Sequence, residues 1–179
     1  MRDPSRTFPT VADPESILSA KVWHCKYTSL LPLAQLRNLE GLVIASFPDA
    51  SFEFLGTLEK LRVLHVMHMP KICDVGALAK LTRLKSLSLA TLPSWDASRK
   101  TTTILSLEPL AAIPELAYLE LFGICPPDNS LAPLERCKRL QTARISHYPT
   151  AEIDRFFIEA KVVNKFNPEP SFSYPAMTP

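Results

Sequence analysis

Glycine is scarce in this chain: there are 4 in 179 residues. No glycine-rich phosphate-cradling loop and no G-x-S-x-G nucleophile elbow occurs, which removes the common nucleotide-binding and hydrolase signatures. Cysteine is also sparse, and Cys25, Cys73, Cys125 and Cys137 lie far apart with no C-x-x-C pair. That spacing lacks the close ligand pairs of a zinc site, so no metal or cofactor is expected. No apolar run approaches the ~18 residues of a membrane span, and "MRDPSRTFPTVADPES" has no apolar core for a signal peptide. The cysteines are therefore expected to be reduced thiols in a cytoplasmic protein without a membrane partner. A formal net charge of +2 implies no strong pull toward nucleic acid.

What the chain does have is leucine in rhythm, and 17 prolines that need a positional reason. Five stretches repeat one pattern of apolar spacing. Leu30, Leu33, Leu36, Leu39, Leu42 and Ile44 form the first. Phe52, Leu55, Leu58, Leu61, Leu64 and Val66 form the second, and Val75, Leu78, Leu81, Leu84, Leu87 and Leu89 the third. Leu107, Leu110, Ile113, Leu116, Leu119 and Leu121 follow, then Leu131, Leu134, Cys137, Leu140, Ala143 and Ile145. Ile17, Ala20 and Val22 make a half copy in front. Measured at the third position, successive copies are offset by 22, 23, 32 and 24 residues.

Each copy changes period within itself. The first apolar positions step by three, as on one face of a short helical turn; the last two alternate, as in a strand. An oxygen-bearing residue precedes each helical part (Ser29, Ser51, Asp74, Ser106 and Ser130), placed to accept a bond from a free N–H of the first turn. Across roughly residues 17–149 this pattern resembles the leucine-rich repeat family. The resemblance implies an α/β fold: a right-handed solenoid with a parallel sheet on its concave side and short helical turns on its convex side.

One departure from that family is regular. Three residues after the second strand position, where such repeats usually carry asparagine, this chain has Cys25, Phe47, Met69, Leu92, Ile124 and Tyr148. Proline follows directly at Pro48, Pro70, Pro93 and Pro149, and one residue late at Pro126. An apolar ladder inside the turn is expected, with proline removing an N–H that would otherwise need a partner. Segment 1–16 reads as flexible, and 91–106 as an insertion in the solenoid. Residues 150–165 read as a capping helix, with Thr150 as its N-cap and Ile153, Phe156, Phe157 and Ala160 on one face. The segment 166–179 is a proline-rich tail in which Phe166, Phe172 and Tyr174 are candidates to dock.

If the apolar strand positions point inward, their neighbours point out of the concave face. One outward column reads Lys21, Val43, His65, Ser88, Glu120, Arg144; the next reads Trp23, Ala45, Met67, Ala90, Phe122, Ser146. The preceding column holds Gly41, Val63, Ser86, Tyr118 and Thr142. His65, Ser88 and Glu120 are neighbours, but a triad needs its histidine between nucleophile and acid, and here serine is in the middle. Glu120 beside Arg144 is expected to be an exposed cross-strand ion pair. His24, His68 and His147 share a position on coils that are not consecutive, which argues against a shared metal.

The candidate partner-binding residues are Trp23, Val43, His65, Met67, Tyr118, Glu120, Phe122 and Arg144, together with Trp95, Asp96, Arg99 and Lys100 of the insertion. Aromatic anchors ringed by charge suit a protein partner. A basic series (Lys60, Arg62, Lys80, Arg83, Lys85, Arg136, Lys138, Arg139) is interrupted by Glu40, Glu59 and Glu135, against a nucleic-acid stripe. The sequence thus reads as a monomeric, non-catalytic protein-interaction module. The alternative is a small-ligand binder or hydrolase-like enzyme on the His65/Glu120/Arg144 face, with 91–106 as lid; a third reading is a spacer or self-assembling repeat.

Overall fold

Alternating apolar residues at the end of each copy can bury one face only by stacking copy on copy. The computed structural model, which describes residues 5–23 and 25–166, has this arrangement. The strands are β1 (Ser19–Val22), β2 (Gly41–Ala45), β3 (Val63–Met67), β4 (Ser86–Ala90), β5 (Thr102–Thr103), β6 (Tyr118–Phe122), β7 (Ile124–Cys125), β8 (Thr142–Ile145) and β9 (Val163–Asn164). Seven of them form one sheet in the order β1-β2-β3-β4-β6-β8-β9, every pairing parallel. Its register sets Leu42, Leu64, Leu87 and Leu119 side by side, all completely buried.

The helical halves are single turns. Leu31–Gln35, Leu55–Thr57, Gly76–Lys80 and Ala132–Arg136 are 3-10 turns, and α2 (Glu108–Ala111) is a short α-helix after α1 (Pro93–Ala97). Each except α1 begins behind one of the expected oxygen-bearing residues. Ser29, Ser51, Asp74, Ser106 and Ser130 all accept a bond from the N–H two residues on, at 2.7–3.3 Å. Four of them stand one position ahead of the residue that enters the helical turn, and Ser51 three ahead of Phe54, so they close a side-chain turn rather than cap a helix.

Phe47, Met69, Ile124 and Tyr148 are buried and form the apolar ladder. The residue before each of them is left-handed: Ser46, His68, Gly123 and His147 have φ between 63° and 70°. Phe47 meets Phe52 edge-on at 4.9 Å and stacks on Phe54 at 5.9 Å. The Tyr148 hydroxyl donates to Ile124 O at 2.9 Å, supplying between coils a bond of the kind asparagine gives elsewhere. Burial pushes the Tyr148 phenol up, keeping it a neutral donor. Leu92 does not follow the pattern, being only half-buried. It is extended and leads into Pro93 at the start of α1, so the chain leaves the coil there. The row resumes at Thr102, buried and paired with Ile124, and Ile104 behind it is fully buried.

At the carboxyl end α3 (Thr150–Ala160) closes the core, with Phe156 fully buried and Ile153, Phe157 and Ala160 packed against it. Thr150 is the first helical residue rather than the N-cap; the Pro149 carbonyl accepts from the N–H groups of Glu152 and Ile153. The helix stops at Ala160 because Lys161 turns left-handed (φ 54°), which lets β9 pair with β8. At the amino end, residues 5–16 lie along the first coil. Thr28 N donates to Arg6 O at 2.9 Å and the Phe8 ring meets Tyr27 at 5.2 Å.

Candidate functional site

The outward strand positions build a trough of about 350 Å³ on the concave face. Trp23, Val43, His65, Met67, Glu120, Phe122 and Arg144 line it, joined from the insertion by Pro93 and Asp96. Trp23, immediately after β1, is 40% exposed, and Lys21 Nζ lies 4.5 Å above its ring. Arg144 stacks its guanidinium over Phe122 at 4.6 Å. Tyr118 lies apart from this group. It lines a second cavity, of about 430 Å³, at the edge where the strands begin.

The polar centre of the trough is more enclosed than an exposed ion pair would be. Glu120 is 8% exposed; one carboxylate oxygen accepts from Ser88 Oγ at 2.5 Å and the other meets Arg144 Nε at 2.7 Å. The expected pair exists, but as a buried carboxylate held by two donors, whose partners it would be costly to remove. His65 stands opposite Ser88 in the register, yet its hydrogen bond goes elsewhere. Its Nε2 lies 3.2 Å from Ser86 Oγ, and burial lowers its pKa against the raising influence of Glu120. Ser88 is thus bonded to Glu120 rather than to the histidine, so no serine–histidine–acid order forms, and Ser86, the partner of His65, is only 2% exposed. The register sets His65, Ser88 and Glu120 side by side as the columns expected, but the hydrogen bond of His65 goes to Ser86. A histidine side chain reaches diagonally across a sheet, so the partner lies two residues from the one directly opposite.

The insertion is pinned beside the trough. Asp96 Oδ1 accepts from His147 Nε2 at 2.6 Å, and the Trp95 ring meets His68 edge-on at 5.0 Å. Arg99 and Lys100 are exposed. A further contact comes from the carboxyl end: the Phe166 ring lies 5.5 Å from His65, edge-on. Of the tail residues expected to dock, Phe172 and Tyr174 lie outside the described residues, as does His24. Among the described residues no group of three His, Cys, Asp or Glu side chains could hold a metal, and no helix is long and apolar enough to cross a membrane. All four cysteines are free; burial pushes the Cys125 and Cys137 thiols up to about 11, which makes them packing groups rather than nucleophiles.

Parallel strands at one rung per copy, short turns on the opposite side and an interior of leucine define an α/β leucine-rich-repeat solenoid. Among solved structures the chain is similar to internalin C2 from Listeria monocytogenes, at 23% identity and a TM-score of 0.58, covering 74% of this chain and 53% of that one. A likeness to the internalin inlF of the same organism has 26% identity and a TM-score of 0.41, over 72% and 43% of the two chains. The chain spans about half the length of these structures. No protein-family model matches the sequence, and no curated protein does.

Proposed function

We propose that this chain is a non-catalytic, cytoplasmic, monomeric interaction module that holds a partner protein on its concave face. The observation that carries the reading is the trough itself. Trp23, Met67 and Phe122 present apolar surface around a fixed Glu120–Arg144 pair, and such anchors supply affinity while oriented charges reject wrong partners. Leucine-rich-repeat architecture suits the role, because its sheet offers a surface rather than an enclosed site. Arg99 and Lys100, exposed on the insertion, extend the surface at one rim.

One observation favours a second reading, a small-ligand site: about 350 Å³ lies within the range of ligand cavities. A ligand of that size is normally enclosed on most sides. Here the insertion contributes a wall, Pro93 and Asp96, while its ring contact with His68 and its hydrogen bond with His147 hold it to the side. The protein reading is therefore preferred.

The test is to identify the partner by pull-down from the native cell, then measure affinity and melting for Trp23→Ala/Phe122→Ala. The expected result is an unchanged melting temperature and a loss of ~2 kcal/mol or more for each residue that is a true hot spot. Unchanged affinity with an intact fold would move the site off this face.

A further inference from the structure

The second cavity has a chemistry of its own. Backbone bonds continue past the strands on this edge: Arg62 N to Glu40 O, Lys85 N to Arg62 O, Ala117 N to Lys85 O and Gln141 N to Ala117 O, all 2.8–2.9 Å. Successive coils thus set these positions in a row at about 4.8 Å per step. Two residues earlier in each coil a second row holds Lys60, Arg83, Glu115 and Arg139. Together with Lys138, these side chains line two neighbouring cavities of about 430 and 460 Å³ that share Arg62, Lys85 and Glu115.

Six cations, Lys60, Arg62, Arg83, Lys85, Lys138 and Arg139, face two carboxylates there. Four positive charges are in excess on one edge of a chain whose formal net charge is only +2. Glu40 lies 3.6 Å from Arg62 and Glu115 lies 2.6 Å from Arg139. Among the described residues Arg83, Lys85 and Lys138 have no ion-pair partner. The acids that interrupt this series in the sequence are mostly elsewhere in space: Glu135 bonds Arg155, and Glu59 does not line either cavity. Lys80 and Arg136 are engaged with Glu53 and Glu108.

We propose that this edge binds an acidic peptide segment of the partner protein, which the same partner presents while its apolar residues fill the trough. The inference rests on the concave-face reading and gives the partner its chemistry. From the Lys60 coil to the Arg139 coil is three steps, roughly 14 Å, the length of about four extended residues. A single phosphate would engage one or two of these cations; a row of carboxylates at extended-chain spacing engages them in series. The trough and the edge adjoin through the His65–Ser86 hydrogen bond, since Ser86 lines the edge cavity and His65 the trough.

The probe is a fluorescein-labelled ten-residue glutamate peptide, titrated onto the full chain at low and at physiological salt. Saturable binding is expected, weakened at least tenfold by Arg83→Glu/Lys85→Glu at an unchanged melting temperature. Arg99→Glu/Lys100→Glu, the same charge change on the insertion, should leave that isotherm in place, as should Trp23→Ala/Phe122→Ala. Equal weakening by the insertion variant would mean diffuse attraction and would overturn the proposal. So would tighter binding of a ten-nucleotide single-stranded DNA or of inorganic phosphate, or no saturation by the peptide. If the peptide binds as expected while Trp23→Ala/Phe122→Ala leaves partner affinity intact, the edge site stands and the trough reading fails. If the peptide does not bind while that variant loses the partner, the reverse holds.

Discussion

The two edges of the sheet put their side chains to opposite uses. Where the strands end, Phe47, Met69, Ile124 and Tyr148 turn inward, and the one polar group among them, the Tyr148 hydroxyl, is bonded to the next coil. Where the strands begin, Arg62 and Lys85 occupy one position of the repeat and line open cavities, and among the described residues Lys85 has no ion-pair partner. Both rows are produced by the same repeat, one residue per coil. A side chain placed in register with apolar neighbours becomes core, and one placed in register with cations makes a field. Substitutions on the first edge should therefore register as stability, and on the second as affinity.

Phe47→Asn should be the most severe challenge to this contrast. The ring fills a site between Phe52 and Phe54, and the smaller amide would leave a cavity and a buried polar group. A loss of ~3–5 kcal/mol is expected, read as a lower denaturant midpoint. A wild-type midpoint would show that the family's asparagine network can still form here. Tyr148→Phe keeps the ring and deletes only the bond to Ile124 O, so it should cost about 1 kcal/mol by the same measurement. No change would mean that the ladder acts between coils through packing alone. Arg83→Ala, on the opposite edge, should move the midpoint by less than ~0.5 kcal/mol, because it breaks no ion pair and empties no core site. A larger loss would mean that this edge, too, is structural.

The repeat was legible because its signal is redundant. Leu42, Leu64, Leu87 and Leu119 each announce the same rung, and the side-chain turns at Ser29, Ser51, Asp74, Ser106 and Ser130 recur with them. Features that occur once were harder to see. Leu92 matches the ladder by spacing, yet Pro93 begins a helix there and Thr102 takes over the row. The columns placed Glu120 beside Arg144 but could not reveal its burial, which depends on Ser88 closing over it from the adjoining strand. The edge cavities were hidden by sequence neighbours: Glu59 and Glu135 interrupt the basic series along the chain but line neither cavity. Likewise nothing local to residue 166 places its ring against His65.

A stack of this kind comes apart from its ends, since each coil is held only by those beside it. The ends are unequal. At one, α3 seats Phe156 with no exposed surface; at the other, β1 has a single buried residue, Val22, among its four. The strand leading to Trp23 therefore depends heavily on the coil beside it. Among the described residues the most exposed aromatic side chain, Trp23, follows directly on that thinly buried strand. A partner gripping that ring would act as a clasp, its binding free energy added to a strand that buries little itself.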